Sequence, residues 1–233
     1  MTQLSNSENL AQISLFQNLS ADELAWVSEH LHQRAFSAGS NLAMAEQPGE
    51  VIYIVIDGTL KIFTEQLDGT EVILAILGPG DTVGEMSLVD SAGRSANVVT
   101  LEKSMLLWMD RSTFQQCLET MPTVTYNLMH IFSDRLRLAN EQIQSLATLD
   151  IYGRVARQLL AFANQYGQPS PENETDILIP IRLTQSDIAD MVGASRERIN
   201  QVVVSYKRSN YISIDRRYRI TVRNKEALAE RCR

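Results

Sequence analysis

The amino-acid sequence predicts an α+β chain in three parts: an N-terminal β-sandwich or barrel, a long central helix and a C-terminal helix–turn–helix. Three observations carry that expectation. Between about Arg34 and Met109, glycines recur at 39, 49, 58, 69, 80 and 93 with short β-rich runs between them, the rhythm of strands and turns in sandwiches and barrels. From Thr123 to about Leu149 there is neither glycine nor proline, and apolar residues fall at 128, 132, 136, 139, 143 and 146, a stripe on one helical face. Residues 183–209, "LTQSDIADMVGASRERINQVVVSYKRS", carry a small residue, a turn glycine and capping residues at the offsets a helix–turn–helix needs.

The elements follow in order. "SLFQNLSADELAWVSEHLHQ" is an amphipathic helix in which Ser20 and Glu23 form a capping box, with Leu19 and Leu24 as a hydrophobic staple. "VIYIVI", "LKIFTE", "EVILAIL", "SANVVTL" and "SMLLWM" are strands, and Asp-Gly at 57–58 and 68–69 signals hairpins. Strands and helices do not alternate, which disfavours a doubly wound sheet. "RSTFQQCLETM" is a helix that stops near Pro122. The long stripe then fits a helix of coiled-coil type, favouring a two-chain seam over packing on its own domain. "LDIYGRVARQLLAFANQYG" starts a further helix, "QPSPENETD" is a polar loop, "YISIDRRYRITV" is a hairpin with a basic tip, and "NKEALAERCR" is a short terminal helix.

A chain of 233 residues suffices for one large or two modest domains. No run of eighteen apolar residues marks a spanning helix, and "MTQLSNSENLAQ" lacks the features of a secretory signal. The two cysteines, Cys117 and Cys232, form no CxxC pair, and His30 and His32 read as surface residues. No metal site and no membrane partner are expected, and a reducing cytoplasm is the simplest setting. No convincing triad, metal cluster or P-loop supports an enzyme. The net charge of −7 conceals an asymmetry: residues 1–149 hold 7 basic and 18 acidic side chains, residues 150–233 hold 14 and 10. A basic C-terminal part suggests a polyanion-binding module.

Within the helix–turn–helix, counting from Gln185, Ala189 is fifth, Gly193 ninth and Ile199 fifteenth. The fifth must be small where the helices approach, the ninth takes a turn conformation glycine adopts without strain, and the fifteenth is buried. Thr184 and Ser195 stand at N-cap positions. The second helix begins with Arg196, Glu197 and Arg198 and continues to Asn200 and Gln201, side chains that pair with base edges. Lys207, Arg208, Arg216, Arg217 and Arg219 are candidates for phosphate contacts. The expected partner is double-stranded DNA.

"GEMSLVDSAGRSANV", residues 84–98, holds one acidic and one basic residue among small ones. N–H groups at Glu85, Met86 and Ser87 with Arg94 and Ser95 suit an anion, while Glu85 suits a sugar hydroxyl. Taken alone, the stretch is a weak signal and a structural turn with a Glu–Arg bridge is the preferred reading. The chain as a whole resembles the superfamily of bacterial regulators that contains the cAMP receptor protein and the fumarate–nitrate regulator. The likeness runs from about Leu15 to Leu228 and includes "IYIVIDGTLKIF", "GEMSLVDSAGRSA", the long helix, "LDIYGRVARQLL" and the helix–turn–helix.

The resemblance implies a jelly-roll-like β-roll that binds a cyclic nucleotide (1–122), a dimerisation helix (123–149) and a winged helix–turn–helix that binds DNA (150–233). It implies that Glu85 meets the ribose 2′-hydroxyl and Arg94 and Ser95 the cyclic phosphate, with Gly84, Met86, Ser87 and Ala96 shaping the cradle. Leu128, Phe132, Leu136, Ala139, Ile143 and Leu146 would line the seam of a homodimer. Thr184, Gln185, Ser195, Arg196, Glu197, Arg198, Asn200, Gln201, Lys207 and Arg217 would meet a pseudo-palindromic operator, with RNA polymerase as a further partner. Two departures stand out. Where cAMP-binding members place a Thr-Ser pair against the adenine, this chain has Ala139 and Asn140, and the family's second recognition arginine falls at Gln201. The effector is therefore open among cAMP, cGMP, a cyclic dinucleotide and none, and no cofactor is required. A regulator of the same fold without an effector, and a nucleotide-binding module that docks protein, are the competing expectations. With no cysteine before Cys117, the iron–sulfur branch is disfavoured.

Overall fold

The computed structural model describes residues 10–47, 49–90 and 93–232. The start of the chain, and Ser91 and Ala92 of the 84–98 stretch, lie outside the described residues. The chain divides into two compact units, Met1–Thr64 with Ile76–Arg137, and Glu65–Ala75 with Leu138–Arg233.

The N-terminal region opens with a 3-10 turn and helix α1 (Ala21–His30). Ser20 Oγ accepts from the Glu23 N–H while the Glu23 carboxylate accepts from the Ser20 N–H, the reciprocal cap the sequence predicts. Strands β1 (His32–Phe36), β2 (Asn41–Ala43), β3 (Val51–Asp57), β4 (Leu60–Glu65), β5 (Glu71–Leu77) and β6 (Thr82–Val83) follow, then α2 (Glu85–Val89), β7 (Asn97–Thr100) and β8 (Ser104–Asp110). They form two sheets, ordered β1-β8-β3-β6 and β2-β7-β4-β5. The five apolar runs are β3, β4, β5, β7 and β8. The first Asp-Gly is not a hairpin: β3 and β4 lie in different sheets, so Asp57-Gly58 is a corner where the chain changes layer. At the second, the Gln66 N–H donates to the Thr70 carbonyl at 2.8 Å across a tight turn.

Helix α3 (Arg111–Thr120) is capped by Asp110, whose carboxylate accepts from the Thr113 N–H at 2.8 Å. Helix α4 (Pro122–Thr148) begins at a proline, a residue suited to the first turn. Leu15, Phe16, Val27, Ile52, Ile54, Met109, Phe114, Val124 and Leu128 form one core cluster, each contributing about 1.5–3 kcal/mol by leaving water. Cys117 is fully buried in it, and burial pushes its thiol up to about 11.

The expected seam on α4 needs correction. Leu128 is 4% exposed and Phe132 is half-buried against the same core. The first turns of α4 already use that arc to cover their own domain, so these two residues leave the free face. Exposed apolar residues of α4 include Tyr126, Met129, Leu136, Ile143 and Leu146, with Ala139 and Asn140 exposed between them.

The second unit contains α5 (Ile151–Tyr166), β9 (Gln168–Pro169), β10 (Ile177–Ile179), α6 (Gln185–Val192), α7 (Arg196–Arg208), β11 (Ile212–Ile214), β12 (Ile220–Val222) and α8 (Lys225–Glu230). A small antiparallel sheet runs β11-β12-β10-β9, so the stretch expected to be loop contributes an edge strand. Arg154 joins the last turns of two helices: its guanidinium donates to Leu146 O at 3.0 Å, Leu149 O at 3.1 Å and Val192 O at 3.3 Å. Gln142 Nε2 adds a bond to Met191 O at 3.1 Å. These donors satisfy carbonyls that a helix end leaves unpaired. Cys232, half-buried, sits near the Gly153 carbonyl. Among the described residues no helix is long and apolar enough to cross a membrane.

Candidate functional site

Two places in the fold concentrate polar side chains that packing does not explain. The first surrounds α2. Gly84 precedes this short helix at φ 97°, a left-handed conformation glycine adopts freely, and a Cβ there would run into Arg94 Nη1 and the Val51 carbonyl. Arg94 lies across the cradle, donating from Nη1 to Gly84 O at 3.0 Å and from Nη2 to Val51 O at 2.7 Å. Its main chain is anchored too, with the Arg94 N–H on Gln47 O at 2.9 Å and the Glu46 N–H on Arg94 O at 2.8 Å. Burial holds the Arg94 guanidinium below the usual arginine range, against the pull of Tyr53 and Glu85.

Arg111, which the sequence did not single out, donates to Gly49 O at 2.6 Å and to Ser87 O at 3.0 Å. Ser87 Oγ donates to Gly84 O at 3.1 Å. Met86 and Ser95 are exposed and Ala96 is buried.

Glu85 is 2% exposed. One of its oxygens pairs with Arg135 of α4, whose other terminal nitrogen donates to Thr82 O at 2.5 Å. The second oxygen, Oε2, is buried with no hydrogen-bond partner among the described residues. A buried acceptor left open costs free energy until a donor reaches it. A ligand hydroxyl is such a donor, and Arg94 beside it supplies positive charge for an anion. Arg135 was also missed: its partner is 50 residues away, and nothing local marks it. Asn140 is exposed on the part of α4 that belongs to the second unit.

The second place is the α6–α7 pair. Thr184 Oγ1 accepts from the Asp187 N–H at 3.2 Å while Asp187 accepts from the Thr184 N–H at 2.8 Å. Ser195 Oγ accepts from the Arg198 N–H at 3.4 Å. Gly193 ends α6 at φ 64°, the left-handed turn the ninth position requires. Ala189 and Ile199 are buried between the helices.

Opposite them, Arg196, Glu197, Arg198, Asn200, Gln201 and Lys207 are exposed. Gln185 Nε2 donates to Asn200 Oδ1 at 3.2 Å. Val204 is exposed on the same helix and was not foreseen. Beyond α7, Arg216 and Arg217 are exposed at the β11–β12 tip, where Asp215 accepts from the Arg217 and Arg219 N–H groups at 2.8 and 2.9 Å. A cleft of about 740 Å³ separates the start of α5 from the start of α7, lined by Tyr152, Arg154, Ser195, Arg198 and Gln201 among others. Among the described residues no group of His, Cys, Asp and Glu could hold a metal ion.

Comparison with known proteins gives three findings. The model of the family described as "Cyclic nucleotide-binding domain" matches residues 33–121, and that of the "Crp-like helix-turn-helix domain" matches residues 153–231. The chain is 30% identical to a CRP-like cAMP-activated global transcriptional regulator of Mycobacterium tuberculosis, over 97% of this chain and 99% of that one. It is 31% identical to the cyclic AMP receptor protein of Thermus thermophilus, over 81% of this chain and 83% of the relative. Among solved structures, FixK2 from Bradyrhizobium japonicum shares the fold with a TM-score of 0.75 at 18% identity, over 86% of this chain and 96% of that one.

Proposed function

The chain belongs to the CRP/FNR superfamily of transcription regulators, with a cyclic nucleotide-binding domain ahead of a Crp-like helix–turn–helix domain, and on that premise we propose that it is a homodimeric, sequence-specific DNA-binding regulator controlled by a cyclic nucleotide. Residues 1–122 take the effector, 123–149 form the dimer helix and 150–233 read DNA in the cytoplasm. The observation that carries this reading is the unmatched Glu85 Oε2 beside Arg94. The pair fits the ribose hydroxyl and cyclic phosphate of one ligand, and the names of relatives point to cAMP. At the positions where the resemblance expects a Thr-Ser pair for the base, this chain has Ala139, which has no hydrogen-bonding side chain, and Asn140.

For DNA, the polar exposed start of α7, set by the Gly193 turn, suits entry into a major groove. Arg196 and Glu197 contact base edges, while Lys207 and Arg217 contact phosphates. Leu136, Ala139, Ile143 and Leu146 pair with their counterparts in a second copy. The effector acts by binding the DNA-competent arrangement more tightly than the other.

A second reading, a regulator whose 84–98 stretch is only a packed turn, draws support from Arg94 itself, whose guanidinium already bonds two main-chain carbonyls. One experiment separates the two. Gel shifts on a library of pseudo-palindromes with half-sites about one helical turn apart are run with cAMP, cGMP, a cyclic dinucleotide or none. A selective complex tightened by one nucleotide in the wild type but not in Arg94→Ala supports effector control. Selective binding indifferent to every nucleotide in both proteins supports the second reading, and no selective complex in any condition defeats both.

A further inference from the structure

The exposed arc of α7 is polar except at one place. Val202 and Val203 are buried at 0% and 3%, but Val204, the third of three consecutive valines, keeps 40% of its surface exposed. It stands one helical turn after Asn200, so the two side chains share a stripe. One acceptor site of the Asn200 amide is already taken. Its Oδ1 accepts from Gln185 Nε2, which reaches over from the first turn of α6 at 3.2 Å.

That bond has a consequence for base reading. Asparagine selects adenine by using both amide ends, Oδ1 accepting from N6–H and Nδ2 donating to N7. With one Oδ1 lone pair engaged by Gln185, the two Nδ2 donors are the less committed end of Asn200, and Val204 offers methyl groups one turn along the same stripe. In the major groove one base edge matches a donor next to an apolar group: thymine, with its O4 acceptor and C5-methyl. Cytosine offers an N4 donor that meets another donor, and guanine offers acceptors but no methyl. We propose that Gln185, Asn200 and Val204 form a thymine-selective reading unit, distinct from the Arg196–Glu197 contacts. The inference rests on α7 being the DNA-reading helix.

The test uses the full chain and the operator enriched from a random half-site library. At the position read by this unit, replacing thymine by deoxyuridine removes only the methyl and should weaken wild-type binding about fourfold, the value of one buried carbon. Replacing the thymine–adenine pair by cytosine–guanine should weaken it roughly tenfold or more. Val204→Ala should erase the thymine–deoxyuridine difference while keeping thymine above cytosine. Asn200→Asp keeps an acceptor for Gln185 but turns the outward donor into an acceptor, so it should move the preference towards cytosine. The proposal is overturned if wild-type binding is selective yet shows no thymine preference that responds to these two variants. Binding without sequence preference at any position would instead overturn the DNA reading beneath it.

Discussion

The pair between Glu85 and Arg135 makes a quantitative demand on stability. Arg135→Ala leaves a carboxylate that is 2% exposed without its counter-ion, and it strips the donor from the Thr82 carbonyl. Breaking a buried ion pair by removing one partner costs about 3–5 kcal/mol. Arg135 is itself 31% exposed, which places the expected loss near the lower end, about 3 kcal/mol. Glu85→Gln in the same background removes the stranded charge at nearly constant volume and should restore most of the loss, leaving the double variant within about 1.5 kcal/mol of the wild type. Urea unfolding followed by the fluorescence of Trp26 and Trp108 reads this directly, because both tryptophans lie in the same unit as the pair. The loss should persist at high salt, unlike that of a surface pair. A loss below about 1 kcal/mol for Arg135→Ala, the range of exposed pairs, or a double variant no more stable than the single one, would refute the reasoning.

Three further outcomes are expected. Gly193→Ala meets only an ordinary van der Waals contact, Leu146 Cδ2 at 3.8 Å from the new carbon, so only the left-handed backbone is penalised, by about 1–2 kcal/mol; a larger loss in chemical denaturation would point to a clash instead. Leu136→Asp with Ile143→Asp should convert the proposed dimer to monomer in sedimentation velocity, since four side chains at about 1.5–3 kcal/mol each leave the proposed seam; a dimer unchanged by the two substitutions would place the interface elsewhere, and a wild-type monomer would refute the dimer itself. Asp110 has a lowered pKa because the Thr113 N–H and Ser112 hydroxyl bond its ionised form. Its contribution should be full above the ordinary aspartate value of 3.8 and fade as pH falls through the depressed folded value. Asp110→Ala should therefore cost about 1 kcal/mol at neutral pH and less under acid, and a constant cost across that range would contradict the assignment.

Features written in local patterns were legible. The caps at Ser20, Thr184 and Ser195 and the strands β3, β4, β5, β7 and β8 depend on residues within a turn of one another or on the apolar pattern along one run. What escaped depended on distant partners. Strand β1 is almost wholly exposed and has no apolar alternation; it exists because His32 through Phe36 pair with Trp108 through Ser104 of β8. Strand β9 is two residues paired with β10 inside a polar stretch. The α4 stripe misled because spacing identifies a face but not what covers it, and the first turns of that face meet their own core. Arg111 and Arg135 are ordinary arginines until the carbonyls and carboxylate they serve are in place. Three valines in a row cannot be told apart by composition; only the helix's rotation leaves the last one outside.

The two thiols divide between the two units, Cys117 in the first and Cys232 in the second. Cys117 is shielded and its ionisation is suppressed, so an alkylating reagent reaches it only when the surrounding core opens. Cys232 is partly accessible and lies near the C-terminus. Pulse labelling followed by mass spectrometry can thus time the opening of the first unit through Cys117, with Cys232 as the internal reference for labelling that needs no such opening. Adding a cyclic nucleotide or a DNA duplex then shows whether either slows the opening of the first unit, without attaching any foreign reporter.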